Sequence, residues 1–216
     1  MKKVILLGKG DLAIRICEWF LADPHHELVC IVPVMPEPTW TGSLASWAQS
    51  NNINFVKSGH YKDTPNPEEA DLVMSVFYDK ILRERFIGRC KRVINLHNSP
   101  LPKYRGVSPI NWALKDEQEE HGVTIHDILP GIDDGSIIGQ VKYSIYPDFE
   151  EVRDVYKKAI RYGYTLFENT IPILDEITPR PQDEQDVIYH SSKDNHLLKE
   201  RRFFTKELSL KEMEQK

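Results

Sequence analysis

A polar pair closes the predicted strand 92–97. Asn95 and His97 are two positions apart, so their side chains share one face of that strand. An amide N–H can hydrogen-bond the oxyanion of a tetrahedral intermediate. An imidazole can accept a proton from an attacking amine near neutral pH. The pair therefore suits the transfer of an acyl group to an amine.

Such chemistry also needs a carboxylate that orients the imidazole or relays a proton. The glycine-bounded loop 131–135 offers two neighbours, Asp133 and Asp134. Like charges this close raise the pKa of one carboxyl group, which suits a proton relay. The spacing of the residues leaves open which of the two aspartates takes the role.

A glycine loop follows the first apolar run. The residues Gly8, Lys9, Gly10 and Asp11 begin a G-x-G-x-x-A pattern between a predicted strand and a predicted helix, where backbone N–H groups can hold a phosphate. The acid that a nicotinamide site needs at the end of the second strand is missing, since Glu37 comes too late. The loop therefore predicts either contact with the phosphate of another substrate or a structural tight turn.

Short apolar runs alternate with helical patterns through the first half of the chain. This order is typical of a mostly parallel sheet, in which ligands bind at the carboxyl ends of the strands. The predicted strands are 4–7, 28–34, 53–56, 71–77 and 92–97, and the predicted helices are 11–20, 43–51, 81–87 and 109–115.

The pattern changes after Gly122. Segments 123–128 and 137–146 alternate apolar and polar residues, which predicts an antiparallel pair. A long helix over 149–174 and a small strand over 187–190 follow. We therefore expect an α/β, Rossmann-like sheet with flanking helices in residues 1–177. A small C-terminal extension, 178–216, should end in a charged tail that frays after Lys206.

The composition of the chain argues against several classes of protein. The chain has 216 residues and a net charge of -5, which argues against a non-specific nucleic-acid binder. The three cysteines lie far apart without metal-ligand spacing, so we expect no metal and a reducing compartment. The sequence shows neither a signal peptide nor an apolar run long enough for a membrane helix. These features predict a cytoplasmic protein without membrane contact.

Three motifs together resemble the folate-dependent formyltransferase family. The matching pieces, in order, are Asn95-x-His97, then Ser99-x-Leu101-Pro102-x-Tyr104-Arg105-Gly106-x-x-Pro109-x-x-Trp112-Ala113, then Gly122-Val123-Thr124-Ile125-His126 leading to Asp133-x-Gly135-x-Ile137. The family pattern places glycine two residues after its aspartate, which favours Asp133 over Asp134. The chain departs from the pattern at Asn98 and Pro100, and both changes fall on the acceptor side.

This resemblance implies a donor, a mechanism and two binding regions. The implied donor is N10-formyltetrahydrofolate. Asn95 would hold the oxyanion, His97 would assist proton transfer, and Asp133 would orient His97. The implied folate contacts are Phe77, Tyr78, Asp79, Lys80, Ile81, Leu82, Leu129, Gly131 and Ile132. The implied acceptor contacts are Gly8, Lys9, Gly10, Asp11, Tyr104, Arg105 and Gly106, and we add from their charge that Lys9, Lys80 and Arg105 are candidates for a pyrophosphate.

The acceptor amine is chosen by comparing branches of the family. Methionyl-tRNA enzymes have a further C-terminal domain, for which this chain ends early, and glycinamide ribonucleotide enzymes usually lack the Arg105-Gly106 and Trp112-Ala113 pairs. Segment 189–204 is similar to the closing segment of enzymes that formylate nucleotide-linked amino-deoxysugars, so that acceptor is favoured. The alternatives are a phosphoribosylglycinamide formyltransferase, an NAD-dependent oxidoreductase and a non-catalytic nucleotide-sugar binder. The short polar C-terminal segment suggests contact with a second copy in a homodimer.

Overall fold

Four buried apolar runs form the parallel part of a sheet in the computed structural model, which describes residues 1–200 and the side chains of residues 1–198. Their order across the sheet is β2-β1-β3-β4, and each neighbouring pair is parallel. Runs rich in valine, isoleucine and leucine suit strands that are covered on both faces. The four strands are β1 (Lys2–Gly8), β2 (His26–Pro33), β3 (Leu72–Val76) and β4 (Val93–His97).

Two antiparallel strands extend this sheet beyond β4. They follow β5 (Arg105–Gly106) in the chain and are β6 (Glu120–Asp127) and β7 (Ile137–Ser144). The complete sheet has six strands, with β6 beside β4 and β7 at the edge. The expected α/β fold with a mostly parallel sheet is confirmed, and so is the predicted antiparallel pair.

The helices bury one stripe each against the sheet. In the longest helix the buried residues Val155, Ala159, Gly163 and Phe167 recur every four positions, which aligns them on one face. Its first turn is closed by a capping box in which Glu151 and Asp154 bond each other's backbone N–H groups. The helices are α1 (Gly10–Ala22), α2 (Leu44–Ser50), α3 (Glu84–Ile87), α4 (Pro109–Lys115) and α5 (Val152–Thr170).

The sheet separates two apolar clusters of unequal size. The larger cluster joins β-strand residues such as Ile94 and Leu96 to α1, α2, α4 and α5. The smaller cluster includes Val73, Val93 and Phe86 and lies on the opposite face. Long helices therefore cover one face, whereas α3 and loops cover the other.

The C-terminal extension folds back onto the body of the protein. Tyr189–His190 forms β8, which pairs in parallel with β5 in a separate two-stranded sheet. Arg180 forms a bridge with Ile137 at the start of β7. The predicted charged tail after Lys206 lies outside the described residues, and the boundary between residues 177 and 178 stays a prediction. Within residues 1–200, no helix has both the length and the apolarity that crossing a bilayer requires.

Three predicted elements differ from the observed ones. Segment 53–56 makes only a single bridge, between Phe55 and Ile31, so the predicted strand is wrong. The helix predicted from Ile81 begins only at Glu84, because the backbone at Arg83 is still extended. The long helix ends at Thr170 and continues as a 3₁₀ turn containing Pro172, whose ring nitrogen cannot donate a helical hydrogen bond.

Candidate active site

Strand β4 presents polar side chains on the face of the smaller cluster. Val93 belongs to that cluster, whereas Ile94 and Leu96 pack in the larger one. Because successive side chains of a strand point to opposite faces, Asn95 and His97 follow Val93 on the same face. The strand therefore uses one face for stability and places its amide and imidazole on the other.

A second histidine, which the residue pattern alone does not assign to the site, stands opposite Asn95. The antiparallel register of β4 and β6 pairs Asn95 with His126, so their side chains are neighbours on one face. Asn95 Nδ2 lies 3.2 Å from His126 Nε2. His126 Nδ1 donates to the carbonyl of Asp127 at 2.9 Å. The motif that resembles the family includes His126 without giving it a role, and the pairing register places it beside Asn95.

The buried His97 ring is anchored through one nitrogen. Its Nε2 lies 3.0 Å from the carbonyl oxygen of Tyr104, and since a carbonyl only accepts, Nε2 carries the hydrogen. Nδ1 then holds the lone pair of the neutral ring. It lies 3.6 Å from Asp133 Oδ2, so a proton taken at Nδ1 would face a carboxylate.

The Asp133 carboxylate lies between the two imidazoles. Its Oδ1 is 3.6 Å from His126 Nε2, and its Oδ2 accepts a hydrogen bond of 2.9 Å from the Gly106 N–H. Burial favours the neutral acid, but His97, His126 and the Gly106 N–H together hold the pKa of Asp133 well below its usual range. The raised pKa expected from two adjacent aspartates is thus wrong for Asp133, which stays ionised.

Local geometry separates Asp133 from its neighbour. Asp133 has a φ of 51°, in the left-handed region, and its side chain turns inward, whereas Asp134 is exposed. A Cβ at Gly135 would lie 1.7 Å from the carbonyl oxygen of Asp127, so only glycine fits the close return of the loop to β6. The structure therefore brings Asn95, His97 and Asp133 together and leaves Asp134 at the surface.

This group can carry out acyl transfer. Asn95 offers an amide donor for an oxyanion. His97 offers a lone pair at Nδ1, and the ionised Asp133 can stabilise the imidazolium that forms when this nitrogen takes a proton. Among residues 1–200, no group of three or more potential metal ligands is arranged to hold a metal ion.

The two predicted folate segments present apolar side chains to solvent. Ile81 is 54% exposed and Leu129 is 49% exposed. Within the first segment, Leu82 is buried in the smaller cluster. Tyr78 is held by Gly59, whose carbonyl accepts its hydroxyl hydrogen at 2.8 Å, and burial raises its pKa to about 12. Tyr78 and Leu82 therefore anchor the segment on either side of the exposed Ile81.

The other residues of these segments differ in how firmly they are held. Phe77 follows β3 with a φ of 56° and packs 5.9 Å from the Tyr156 ring. Lys80 pairs with Asp79 at 3.2 Å. Gly131 is exposed and Ile132 is half-buried. The first segment therefore combines exposed and anchored residues and the second is mostly exposed, and the folate contacts of both stay a prediction.

The glycine loop is tied to the segment before α2. Gly10 has a φ of 74°, and a Cβ there would lie 2.6 Å from Thr41 Oγ1. The same hydroxyl accepts from the Asp11 N–H at 3.1 Å, and Asp11 Oδ1 accepts from the Gly42 N–H at 2.9 Å. Because Thr41 occupies an amide of the first turn, fewer N–H groups remain for a phosphate. Lys9 is half-buried beside the loop.

The acid that arrives too late for a nicotinamide site has a structural partner. Glu37 Oε1 accepts the Ala45 N–H at 3.1 Å, and its other carboxylate oxygen accepts the Ser43 hydroxyl. A carboxylate is favourable at this position because the first turn of a helix presents free N–H groups. Glu37 therefore caps the start of α2. A ribose-binding acid would be needed earlier in the chain, at the end of β2.

The Tyr104-Arg105-Gly106 segment points its side chains inward. Tyr104 is 2% exposed and donates its hydroxyl to Asp116 at 3.0 Å. Arg105 is 7% exposed, and its guanidinium contacts Gln182 and Glu184. The acceptor contacts expected of these side chains stay a prediction, and the structure gives both of them protein partners instead.

Comparison with known proteins places the chain in a family. A model described as formyl transferase matches residues 54–171. A methionyl-tRNA formyltransferase of Staphylococcus epidermidis is 30% identical in an alignment 206 residues long, which covers 89% of this chain and 66% of the relative. The chain therefore spans just under two thirds of the length of that curated relative.

Two solved structures share both fold and moderate identity. WlaRD, a sugar 3N-formyl transferase solved with dTDP and 5-N-formyl-THF, is 28% identical with a TM-score of 0.75, covering 90% of this chain and 70% of that one. The N-formyltransferase of Helicobacter canadensis, in complex with folinic acid and dTDP-3-aminofucose, is 26% identical with a TM-score of 0.76, covering 90% and 72%. By its matching family model, the chain belongs to the formyl transferase family.

Proposed function

We propose that the protein transfers the formyl group of N10-formyltetrahydrofolate to the primary amine of a nucleotide-linked amino-deoxysugar. The observation that carries the proposal is the convergence of an amide, an imidazole and an ionised carboxylate on one face of the sheet. His97 Nδ1 lies 3.6 Å from Asp133, and Asn95 lies on the same side of β4.

The reaction follows from the roles of these three groups. The amine nitrogen attacks the formyl carbon, and Asn95 donates to the oxygen that becomes negative. His97 takes the amine proton at Nδ1 while Asp133 stabilises the imidazolium. The bond between the formyl carbon and N10 then breaks, and N10 receives the proton. The products are a formamide and tetrahydrofolate.

Donor binding is assigned to Phe77–Leu82 and to Leu129, Gly131 and Ile132. The exposed Ile81 and Leu129 would pack on the flat pterin, and backbone groups would bond its polar edge. Support comes from the two similar sugar enzymes, whose structures contain formylated folates. Lys80, near the Tyr78 ring, remains a candidate cation for an anionic group of either substrate.

Acceptor binding is assigned to the glycine loop, Gly8–Asp11, which follows β1 beside the end of β3. Trp40 is 64% exposed there and packs edge-on against Tyr156 at 5.2 Å. An exposed indole beside a helix N-terminus suits a nucleotide, whose base can pack on the ring. The deoxythymidine nucleotides bound by the two similar sugar enzymes support this acceptor class.

A second acceptor follows from the sequence relatives, which are methionyl-tRNA formyltransferases. The net charge of -5 disfavours it, because tRNA binding relies on cationic surface. The deciding experiment is a formylation assay with N10-formyltetrahydrofolate and a panel of nucleotide-linked amino sugars, glycinamide ribonucleotide and methionyl-tRNA. Turnover of a sugar supports the proposal, and turnover of only the other acceptors overturns the choice of acceptor.

One variant and three further measurements separate the alternatives. An enzyme whose His97 is replaced by asparagine should bind folate and nucleotide sugar but turn over neither. A non-catalytic binder would show no formylation even with the native chain. An NAD-dependent oxidoreductase would bind NAD, which isothermal titration measures directly. Gel filtration with light scattering tests the expected homodimer.

A further inference from the structure

Arg105 and Gly106 both hold Asp133 in place. Gly106 bonds the Asp133 side chain directly, and Arg105 supports the Asp133 main chain through Gln182. Gly106 N–H donates to Asp133 Oδ2 at 2.9 Å. Gln182 Nε2 donates to the Asp133 carbonyl at 2.7 Å and to the Gly135 carbonyl at 2.8 Å. Arg105 donates from Nε and Nη2 to Gln182 Oε1, at 3.1 and 2.8 Å. These contacts close a ring of hydrogen bonds around loop 131–135, which carries Asp133 and is called the catalytic loop below.

The backbone of Asp133 needs such support. Its φ of 51° lies in the left-handed region, which is unfavourable for a residue with a side chain and persists only where neighbouring contacts fix it. The two carbonyls held by Gln182 lie at Asp133 itself and two residues later, so Gln182 bridges the turn. Without that bridge, the loop could relax and carry the carboxylate away from His97.

The Arg105 guanidinium is committed to this ring. It is 7% exposed and adds an ion pair with Glu184, at 2.8 Å between Nη2 and Oε1. A planar fork of five donors can serve two acceptors at once, and here they are the Gln182 amide and the Glu184 carboxylate. Glu184 is largely exposed, whereas Gln182 is half-buried and bonds the Asp133 loop, so the contact with Gln182 is the one that transmits position.

We propose that Gln182 and Arg105 are positioning residues that fix the Asp133 carboxylate against His97. The proposal rests on the role given to Asp133 under the proposed function. It makes the segment around residue 182, which lies far along the chain from the site, part of the apparatus that orients the catalytic loop. Arg105 then acts through Gln182 rather than on a substrate phosphate.

The test compares two glutamines of the same segment. Gln182→Met keeps the size of the side chain and removes its hydrogen bonds, whereas Gln185→Met changes an exposed residue three positions on. We expect Gln182→Met to lower kcat by about 10- to 100-fold. KM for N10-formyltetrahydrofolate should change less than kcat, because the donor contacts of Phe77–Leu82 do not depend on Gln182, even if Leu129, Gly131 and Ile132 shift with the loop. Gln185→Met should match the native enzyme.

Circular dichroism of each variant excludes loss of fold as the cause. A Gln182→Met enzyme with native kcat overturns the proposal. A fall in kcat that only follows the unfolded fraction also overturns it, because the contact would then stabilise without positioning.

A double-mutant cycle tests whether the two residues act as one unit. Arg105→Met combined with Gln182→Met should lower kcat about as much as the more damaging single variant. Independent, multiplying losses would overturn the link between them. Asp133→Asn serves as the reference. If Asp133→Asn keeps native kcat, the catalytic role of Asp133 fails; if it is inactive while Gln182→Met is fully active, only the positioning role fails.

Discussion

The two faces of the sheet differ in what the same strands contribute to them. On β4, Ile94 and Leu96 pack under the long helices, whereas Asn95 and His97 face the site. On β6, His121 points to the same side as the buried Val123 and Ile125, whereas His126 faces Asp133. Alternation along a strand therefore lets one short segment serve stability and chemistry through different side chains.

The surroundings of the two β6 histidines show the consequence. His121 donates from Nε2 to the Asn98 carbonyl at 3.0 Å and packs against the Tyr143 ring. Burial lowers its pKa to about 4, so it stays neutral. His126 instead lies 3.6 Å from the Asp133 carboxylate, on the face that carries the site. Variants on the two faces should accordingly fail in different ways.

The largest expected effect is on the site face. His97→Asn removes the nitrogen that takes the amine proton, and we expect kcat to fall by about 10²- to 10⁴-fold. The folded state should survive, because the substitution replaces one polar ring with a smaller polar group beside the Tyr104 carbonyl. Steady-state kinetics and folate binding by fluorescence give both quantities. Native turnover by this variant would contradict the assigned chemistry.

The neighbouring residue on the helix face should show the reverse pattern. Leu96→Ala leaves a cavity among α1, α5 and the sheet, where Leu96 is fully buried. We expect a loss of about 2 to 5 kcal/mol in the free energy of unfolding. The kcat of the folded fraction should stay within about threefold of native, because Leu96 does not touch the site. Urea unfolding and kinetics at 10 °C measure the two effects.

Much of this arrangement is predictable from sequence. The common face of Asn95 and His97 follows from their spacing, and the antiparallel pair from the alternation over 123–128 and 137–146. These predictions succeed because side-chain period and strand direction are local properties. The neighbourhood of His126 depends on the register between β4 and β6, which local patterning does not encode.

Non-local contacts also explain what the sequence leaves hidden at Arg105. Its expected contact with a pyrophosphate rests on charge alone, whereas the structure pairs it with Gln182, 77 residues away. Asp133 shows the same limit, because adjacency to Asp134 predicts a raised pKa while two distant histidines lower it. In both Arg105 and Asp133, the deciding partners are groups that only folding brings near.

The next largest effect is a loss of folding stability in acid that comes from His121. Its pKa falls from 6.5 in the unfolded chain to about 4 in the folded chain, so the unfolded chain binds the proton more tightly. Stability from this group is present above pH 6.5 and is lost as the pH falls toward 4. The loss should reach about 3 kcal/mol.

His121→Gln keeps a side-chain donor but removes the titration. Urea unfolding at pH 7 and pH 4.5 should therefore show a smaller decline than in the native chain. The same change at the exposed His25 should leave the decline unaltered. Asp133 contributes little to the decline between pH 7 and pH 4.5. Because its pKa is lowered in the folded chain, the stability that it provides is lost mainly below pH 3.8. An unchanged decline in His121→Gln would show that this face of β6 does not control acid sensitivity.

The smallest expected effect lies where the site meets solvent. Trp40→Ala removes an exposed indole next to Thr41, whose hydroxyl holds the glycine loop. Loss of one stacking surface is worth about 1 to 3 kcal/mol, so KM for the nucleotide sugar should rise by about 5- to 150-fold, with kcat and the KM for folate nearly unchanged. Trp40→Phe should restore most of the affinity. An equal rise in both KM values would show that Trp40 does not act on the acceptor alone, because a residue that contacts only the nucleotide cannot weaken the binding of the donor.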